Sequence, residues 1–228
     1  MDPNIRQGLD GLRQWMDFLE SAAATAAPDP AAAEAPPPRR RAPSGGDPFD
    51  TLIQGVLGRE GGYVNHPDDR GGETIWGITV GTARRHGYQG SMRSMPRAEA
   101  VRIYRAVYWV APGFAQVAAQ SVPVAEELFD TGVNMGPGVA AEFLQRSLNA
   151  LNRQGKDYPD LKVDGDIGQA TLAALDAYLR LRGRVGESVL LKALNVLQGA
   201  RYIQLAEGRG ANESFVFGWL AQRVDIAA

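Results

Sequence analysis

Glu60-Gly61-Gly62-Tyr63-Val64-Asn65-His66-Pro67-Asp68-Asp69-Arg70-Gly71-Gly72-Glu73-Thr74-Ile75-Trp76-Gly77-Ile78-Thr79 is the stretch on which the reading of this chain turns. It follows an apolar run, Phe49, Leu52, Ile53, Val56 and Leu57, spaced as the stripe of an amphipathic helix. Glu60 is the next position on that stripe, so a carboxyl falls on the face meant for the core, where unpaired acids are rarely left. It also falls in the last helical turn, just before a Gly-Gly pair suited to a C-cap. Burial and the negative end of the helix dipole both disfavour its charged form. A carboxylic acid kept protonated near neutral pH is what a general acid requires.

Asp69 follows nine positions later and Thr74 five after that, on a segment whose Gly71-Gly72 and Gly77 suit a tight turn or hairpin. A buried acid at a helix end and an exposed acid on a turn together follow the two-carboxylate logic of glycoside hydrolysis. Asp68 competes with Asp69. In an alternating strand the two point to opposite faces, so only one can meet Glu60. Glu73 reads as a solvated or capping acid, and His66, before Pro67, as loop structure.

Glu-Gly-Gly-Tyr followed by Asn-x-Pro-x-Asp-x-Gly-Gly-x-Thr-x-x-Gly-Ile resembles the signature of glycoside hydrolase family 108, bacterial and phage N-acetylmuramidases. The spacing of Glu60, Asp69 and Thr74 also resembles, within one residue, the Glu/Asp/Thr triad of phage lysozymes. The resemblance selects Asp69 over Asp68. It implies that Glu60 protonates the departing glycosidic oxygen, that Asp69 activates water or stabilises charge on the sugar, and that Thr74 orients the water. It implies no metal and no cofactor. Tyr63 and Trp76 of the same stretch are expected to contact substrate.

Composition narrows the alternatives. The 228 residues suffice for one medium domain plus extras, and a formal net charge of −2 gives no basic excess for nucleic acid. The absence of cysteine removes disulfide, thiolate and Cys-zinc chemistry, and two histidines are too few for a His-rich metal site. No apolar stretch reaches membrane-spanning length. The first residues lack a basic n-region, so no conventional signal peptide is expected. A protein of this kind, made in a bacterial cytoplasm, is expected to reach the periplasm or cell wall through a holin, a secretion system or a particle.

Residues 1–25 read as an N-terminal amphipathic helix. Ile5, Leu9, Leu12, Met16 and Leu19 step by 4, 3, 4 and 3, as in a coiled-coil seam. Two readings stay open: packing on the chain's own catalytic domain, or docking and self-association through residues 5–19. Residues 26–47 form an Ala/Pro-rich tether carrying Arg39-Arg40-Arg41. Asp47-Pro48 then supplies an N-cap and a first helical residue.

Residues 48–137 are expected to hold the lysozyme-like catalytic region. Val80–His86 reads as a short helix ended by Gly87, and residues 98–109 as another, with Val101, Tyr104, Val107 and Tyr108 in register. Its Ile103-Tyr104-Arg105 and Tyr108-Trp109 resemble a second block of the family. Trp109, at the helix end before Pro112-Gly113, is the aromatic expected to line a cleft. Asp130-Thr131-Gly132-Val133-Asn134-Met135-Gly136 resembles a block that faces the cleft in the family. Asp130 and Asn134 lie one helical turn apart and either contact substrate or satisfy backbone at a helix junction.

Residues 138–228 read as a helical region packed in the same domain. Leu144-Gln145-Arg146-Ser147-Leu148-Asn149 and Val163-Asp164-Gly165-Asp166-Ile167-Gly168-Gln169-Ala170-Thr171 resemble a small helical peptidoglycan-binding repeat. Asp164-Gly165 should make a turn, and Gly168 should let a helix pack closely. Whether the repeat binds wall or serves only the fold stays open. Residues 187–207, apolar on most sides, read as a central core helix, and Asn212 or Ser214 restarts a last one.

The expected fold is therefore all-α and lysozyme-like with one short β-hairpin. The expected activity is hydrolysis of the β-1,4 bond between N-acetylmuramic acid and N-acetylglucosamine, with peptidoglycan glycan strands as partner. Two rivals are a lytic transglycosylase and a catalytically inactive wall-binding or assembly protein of a phage-like particle.

Overall fold

The computed structural model describes residues 47–59, 63 and 73–224. The expectations for the N-terminal helix, for the tether up to residue 46, and for Glu60, His66, Asp68 and Asp69 lie outside the described residues. What is described is mainly helical with one two-stranded antiparallel hairpin, as expected for the lysozyme-like class. No helix among the described residues is long and apolar enough to cross a membrane. The chain forms two compact units, one ending at Ala111 and one starting at Pro112.

In the first unit, helix α1 (Pro48–Arg59) begins at the expected cap: the Phe49 amide donates to Asp47 Oδ1 at 3.0 Å. Phe49, Ile53 and Leu57 are buried, while Leu52 and Val56 are half-buried, so the predicted stripe faces the core. Strands β1 (Thr74–Ile75) and β2 (Ile78–Thr79) pair Thr74 with Thr79 and Ile75 with Ile78. Their connection, Trp76-Gly77, has φ of 54° and 70°, the signature of a type I′ turn. The Thr79 hydroxyl then accepts from the Thr82 amide at 3.3 Å, capping α2 (Val80–Arg85) as the chain leaves the hairpin.

Helix α3 (Arg97–Arg105) runs directly into a π-helical turn, Ala106–Val110, where the Ala111 amide donates to the Ala106 carbonyl. The extra residue in that turn shifts the inward face. Ala100, Ile103 and Tyr104 are buried, and the next buried residue is Trp109, five on from Tyr104; Val107 and Tyr108 are only half-buried. A regular α-helix would have turned Tyr108 inward instead. Arg105 ties this segment to α1. Its guanidinium lies 4.3 Å over the Phe49 ring, contacts the Asp47 carboxylate and reaches Asp50 Oδ1 at 2.6 Å. These ion pairs are solvent-accessible, so their value lies in orienting α1 more than in net stability.

The second unit is built on α4 (Phe114–Ala118), α5 (Val122–Met135), α6 (Pro137–Ala150), α7 (Gln169–Gly208) and α8 (Glu213–Arg223). Helix α5 packs against α4, α6 and α7, and α8 packs on α7. The α7 span breaks at Gly183, whose φ of 56° and ψ of −150° are not helical. Its second half is not the all-round core helix predicted. Leu190, Leu194 and Tyr202 face inward, whereas Val189, Val196 and Ile203 are exposed. The inward face also carries Asn195 and Gln198, so apolar content alone misidentified which side is buried.

Candidate functional site

Two regions carry candidate residues, one in each unit. In the first, Thr74 opens β1 and is 7 % exposed, with its side chain on the same face of the hairpin as Thr79. The turn above it is braced at an unusual residue. Trp76 is a bulky side chain in the left-handed region, a conformation that persists only where surroundings fix it. Those surroundings are present: Trp76 Nε1–H donates to the Met95 carbonyl at 3.1 Å, and Tyr104 O–H donates to the Trp76 carbonyl at 3.1 Å. Half-buried Trp76 is thus held as a fixed wall beside Thr74.

Tyr63 joins the same cluster. Its hydroxyl donates to Glu73 Oε1 at 2.9 Å, and the Arg93 guanidinium lies 4.3 Å over its ring. Glu73 is therefore neither a freely solvated acid nor a helix cap. Its carboxylate anchors Tyr63, while its carbonyl accepts from the Val80 amide at 2.8 Å and so closes the hairpin base. Arg93 and Glu73 were not foreseen as members of the cluster, because nothing in local spacing joins residues 63, 73 and 93.

Trp109 does not line a cleft. It is 3 % exposed and packs on Phe49 with ring centroids 5.8 Å apart. The π turn rotates it into the core, which corrects the expectation drawn from its place at a helix end.

In the second unit, Asp130 and Asn134 lie one turn apart at the end of α5, just before the junction with α6 at Gly136. Asp130 Oδ1 accepts from Arg223 at 2.8 Å, and Oδ2 accepts from Gln198 Nε2 at 3.3 Å. Asn134 is 1 % exposed and donates back to the Asp130 carbonyl at 2.6 Å. A side chain so enclosed has no face for a sugar, so the expectation that Asn134 contacts substrate is corrected: it belongs to a buried polar layer. Tyr202 lies in that layer, where burial, with Asp130 nearby, pushes its hydroxyl well above the usual tyrosine range.

The peptidoglycan-repeat residues resolve into a scaffold. Two amides on α6, Gln145 and Asn149, and a third just past its end, Asn152, hold the loop that follows. Gln145 Nε2 donates to Asp164 Oδ1 at 2.8 Å and to the Asp166 carbonyl at 2.9 Å, while its Oε1 accepts from the Asp164 and Gly165 amides, both at 3.0 Å. Asn149 makes a reciprocal pair with the Leu161 backbone, at 2.8 and 2.7 Å. Asn152 donates to the Tyr158 carbonyl at 2.6 Å and accepts from the Tyr158 amide at 3.1 Å. The Gln145 hydrogen bond, ahead of the smaller opposing effect of burial, holds the Asp164 carboxyl below its ordinary range.

The Asp164-Gly165 turn forms as predicted, with Gly165 at φ +75°. The close approach belongs to Gly165, however, and not to Gly168. A Cβ on Gly165 would meet the Gly138 carbonyl oxygen at 3.1 Å, whereas one on Gly168 would meet nothing within 4 Å.

No group of three or more His, Asp or Glu side chains among the described residues could hold a metal ion.

Comparison with known proteins places these two regions. Residues 53–136 match the family described as Glycosyl hydrolase 108, and residues 139–224 match the one described as Predicted Peptidoglycan domain. A search among curated proteins finds no match. The solved structure of Brucella abortus SagA is similar at 27 % identity and a TM-score of 0.54, over 77 % of this chain and 90 % of that one. The hydrolase match runs past Ala111 through α4 and α5, so α5 packs in one unit with the helices of the following match. The chain thus carries a match to the Glycosyl hydrolase 108 family over residues 53–136, followed by a match to the predicted peptidoglycan domain over residues 139–224.

Proposed function

We propose that this glycoside hydrolase cleaves the β-1,4 bond between N-acetylmuramic acid and N-acetylglucosamine, with Glu60 as the proton donor. The observation that carries the reading is the buried series Phe49, Ile53 and Leu57 on α1, a stripe on which Glu60 is the next position by sequence spacing alone. Burial of a carboxyl that continues an apolar stripe would favour its neutral form. The family match over residues 53–136 supports a glycoside substrate, and the following domain supports peptidoglycan as its source.

In this mechanism Glu60 gives its proton to the leaving oxygen as positive charge develops on the sugar. Asp69, in its ionised form, accepts a proton from the attacking water or stabilises that charge. Thr74 orients the water. Its sheltered place at the start of β1 favours one ordered molecule over bulk solvent. Tyr63, fixed by Glu73 and Arg93, and Trp76, fixed by Met95 and Tyr104, supply rigid ring surface next to it. We place synthesis in a bacterial cytoplasm and action at the wall, after delivery by a holin, a secretion system or a particle.

Asp69→Asn tests the division of labour. It removes the ionised partner and keeps the shape. Clearing of purified peptidoglycan suspensions should slow by about 10²-fold or more, with melting unchanged. An Asp69→Asn protein that clears walls at the native rate excludes Asp69 as the second carboxylate.

A further inference from the structure

The loop at 158–168 and the first turns of α7 enclose a groove of about 360 Å³ that the proposed hydrolysis does not use. That volume lies in the range of pockets for small ligands. Its apolar lining is small-sided, with Leu161, Ala170, Ala173 and Ala174 beside Tyr158. Its rim carries Asp160, Asp164 and Asp166 against one cation, Lys162. The groove is preformed, because Gln145, Asn149 and Asn152 are engaged in holding the loop backbone.

Peptidoglycan offers two kinds of ligand chemistry. Its sugar strand is largely uncharged and is usually gripped through exposed aromatic faces. The aromatic ring in this lining does not serve. Tyr158 is 8 % exposed and its hydroxyl donates to the Leu148 carbonyl at 2.7 Å. The stem peptide is short, carries alanine methyl groups and carboxylates, and ends a diamino side chain in an ammonium beside a carboxylate. Methyl groups suit the alanine lining. An ammonium suits a carboxylate rim. A peptide carboxylate suits Lys162, whose Nζ lies a loose 3.9 Å from Asp164 Oδ2 and is free to turn to a ligand.

We infer that this groove binds the stem peptide of peptidoglycan, with the diamino-acid ammonium against the Asp160, Asp164 and Asp166 rim. The inference rests on the reading that the chain acts on peptidoglycan, and it gives the predicted peptidoglycan domain a definite site and ligand class. The catalytic region then holds the sugars while the second unit reads the peptide.

The test is calorimetric titration of the full-length chain with the tetrapeptide L-Ala-D-Glu-meso-diaminopimelate-D-Ala, and separately with chitobiose as the sugar-only probe. Asp166→Lys reverses an exposed rim charge, and Ala173→Trp crowds the apolar lining at an exposed position. Each should weaken tetrapeptide binding at least about tenfold, equivalent to about 1.4 kcal/mol, with native melting. The inference is overturned if the tetrapeptide does not bind at millimolar concentration, if neither variant weakens it, or if chitobiose competes with it. Wall clearing by the unmutated chain is followed in parallel. Clearing without tetrapeptide binding removes the groove assignment alone, and tetrapeptide binding without clearing removes the hydrolase reading alone.

Discussion

Glu60→Gln is expected to lose between about 10² and 10⁴ of the rate of peptidoglycan hydrolysis, or roughly 2.7–5.5 kcal/mol of transition-state stabilisation. The amide matches the acid in shape but has no proton to give to a departing alkoxide. By sequence spacing Glu60 continues the stripe whose Phe49, Ile53 and Leu57 are buried. An uncharged amide in place of a neutral acid should therefore leave melting within about one or two degrees and leave wall binding intact. The native rate should also fall on the alkaline side, as the acid loses its proton in the free enzyme. Sedimentation with insoluble walls, run beside a turbidity assay, separates lost chemistry from lost binding.

The second large effect is structural. Gln145→Leu should destabilise the protein by about 2–4 kcal/mol, since a buried side chain that satisfies several backbone and side-chain groups is replaced by one that satisfies none. Gln145 is 1 % exposed and bonds Asp164, Gly165 and Asp166. For a chain of this size the loss corresponds to roughly 5–15 °C in melting temperature. The loop at 158–168 should become a site of limited proteolysis. Lys162→Ala on the same loop, where the side chain is 85 % exposed, should shift melting by less than about 0.5 kcal/mol.

Local rules carried much of the fold. The α1 stripe, the Asp47 cap, the hairpin around Gly77 and the Asp164-Gly165 turn all rest on neighbours within a few residues, and all four are present. The misses share a different physics. The π turn after Arg105 changes periodicity by one residue without a proline or glycine to mark it, and this alone moved Trp109 from a predicted cleft wall into the core. The anchor of Tyr63 on Glu73 and the pair of Arg223 with Asp130 join residues ten and ninety-three positions apart, beyond what spacing can reveal. Gly168 was read as a packing glycine because it opens a helix. The Cβ-free contact is instead between Gly138 and Gly165, on segments that meet only after α6 and its loop fold together. At the second half of α7, three exposed β-branched residues obscured an inward face that includes Asn195 and Gln198. Burial of satisfied amides is invisible to a hydropathy pattern.

The repeat motif shows how one set of residues can serve both fold and ligand. Gln145, Asn149 and Asn152 spend their polar atoms on the loop's backbone and on the carboxylates of Asp164 and Asp160, so they are scaffold. By fixing the loop they also fix the groove that the loop shares with α7.

The most direct test of the central claim is the chemistry of the new chain ends. Peptidoglycan digested by the full-length chain, then reduced with borohydride and analysed by mass spectrometry, should yield muropeptides ending in reduced N-acetylmuramic acid, one water heavier at each cut. Ends that are 1,6-anhydro-muramic acid, or ends at N-acetylglucosamine, would contradict hydrolysis at the muramic acid bond by Glu60 and its partner carboxylate.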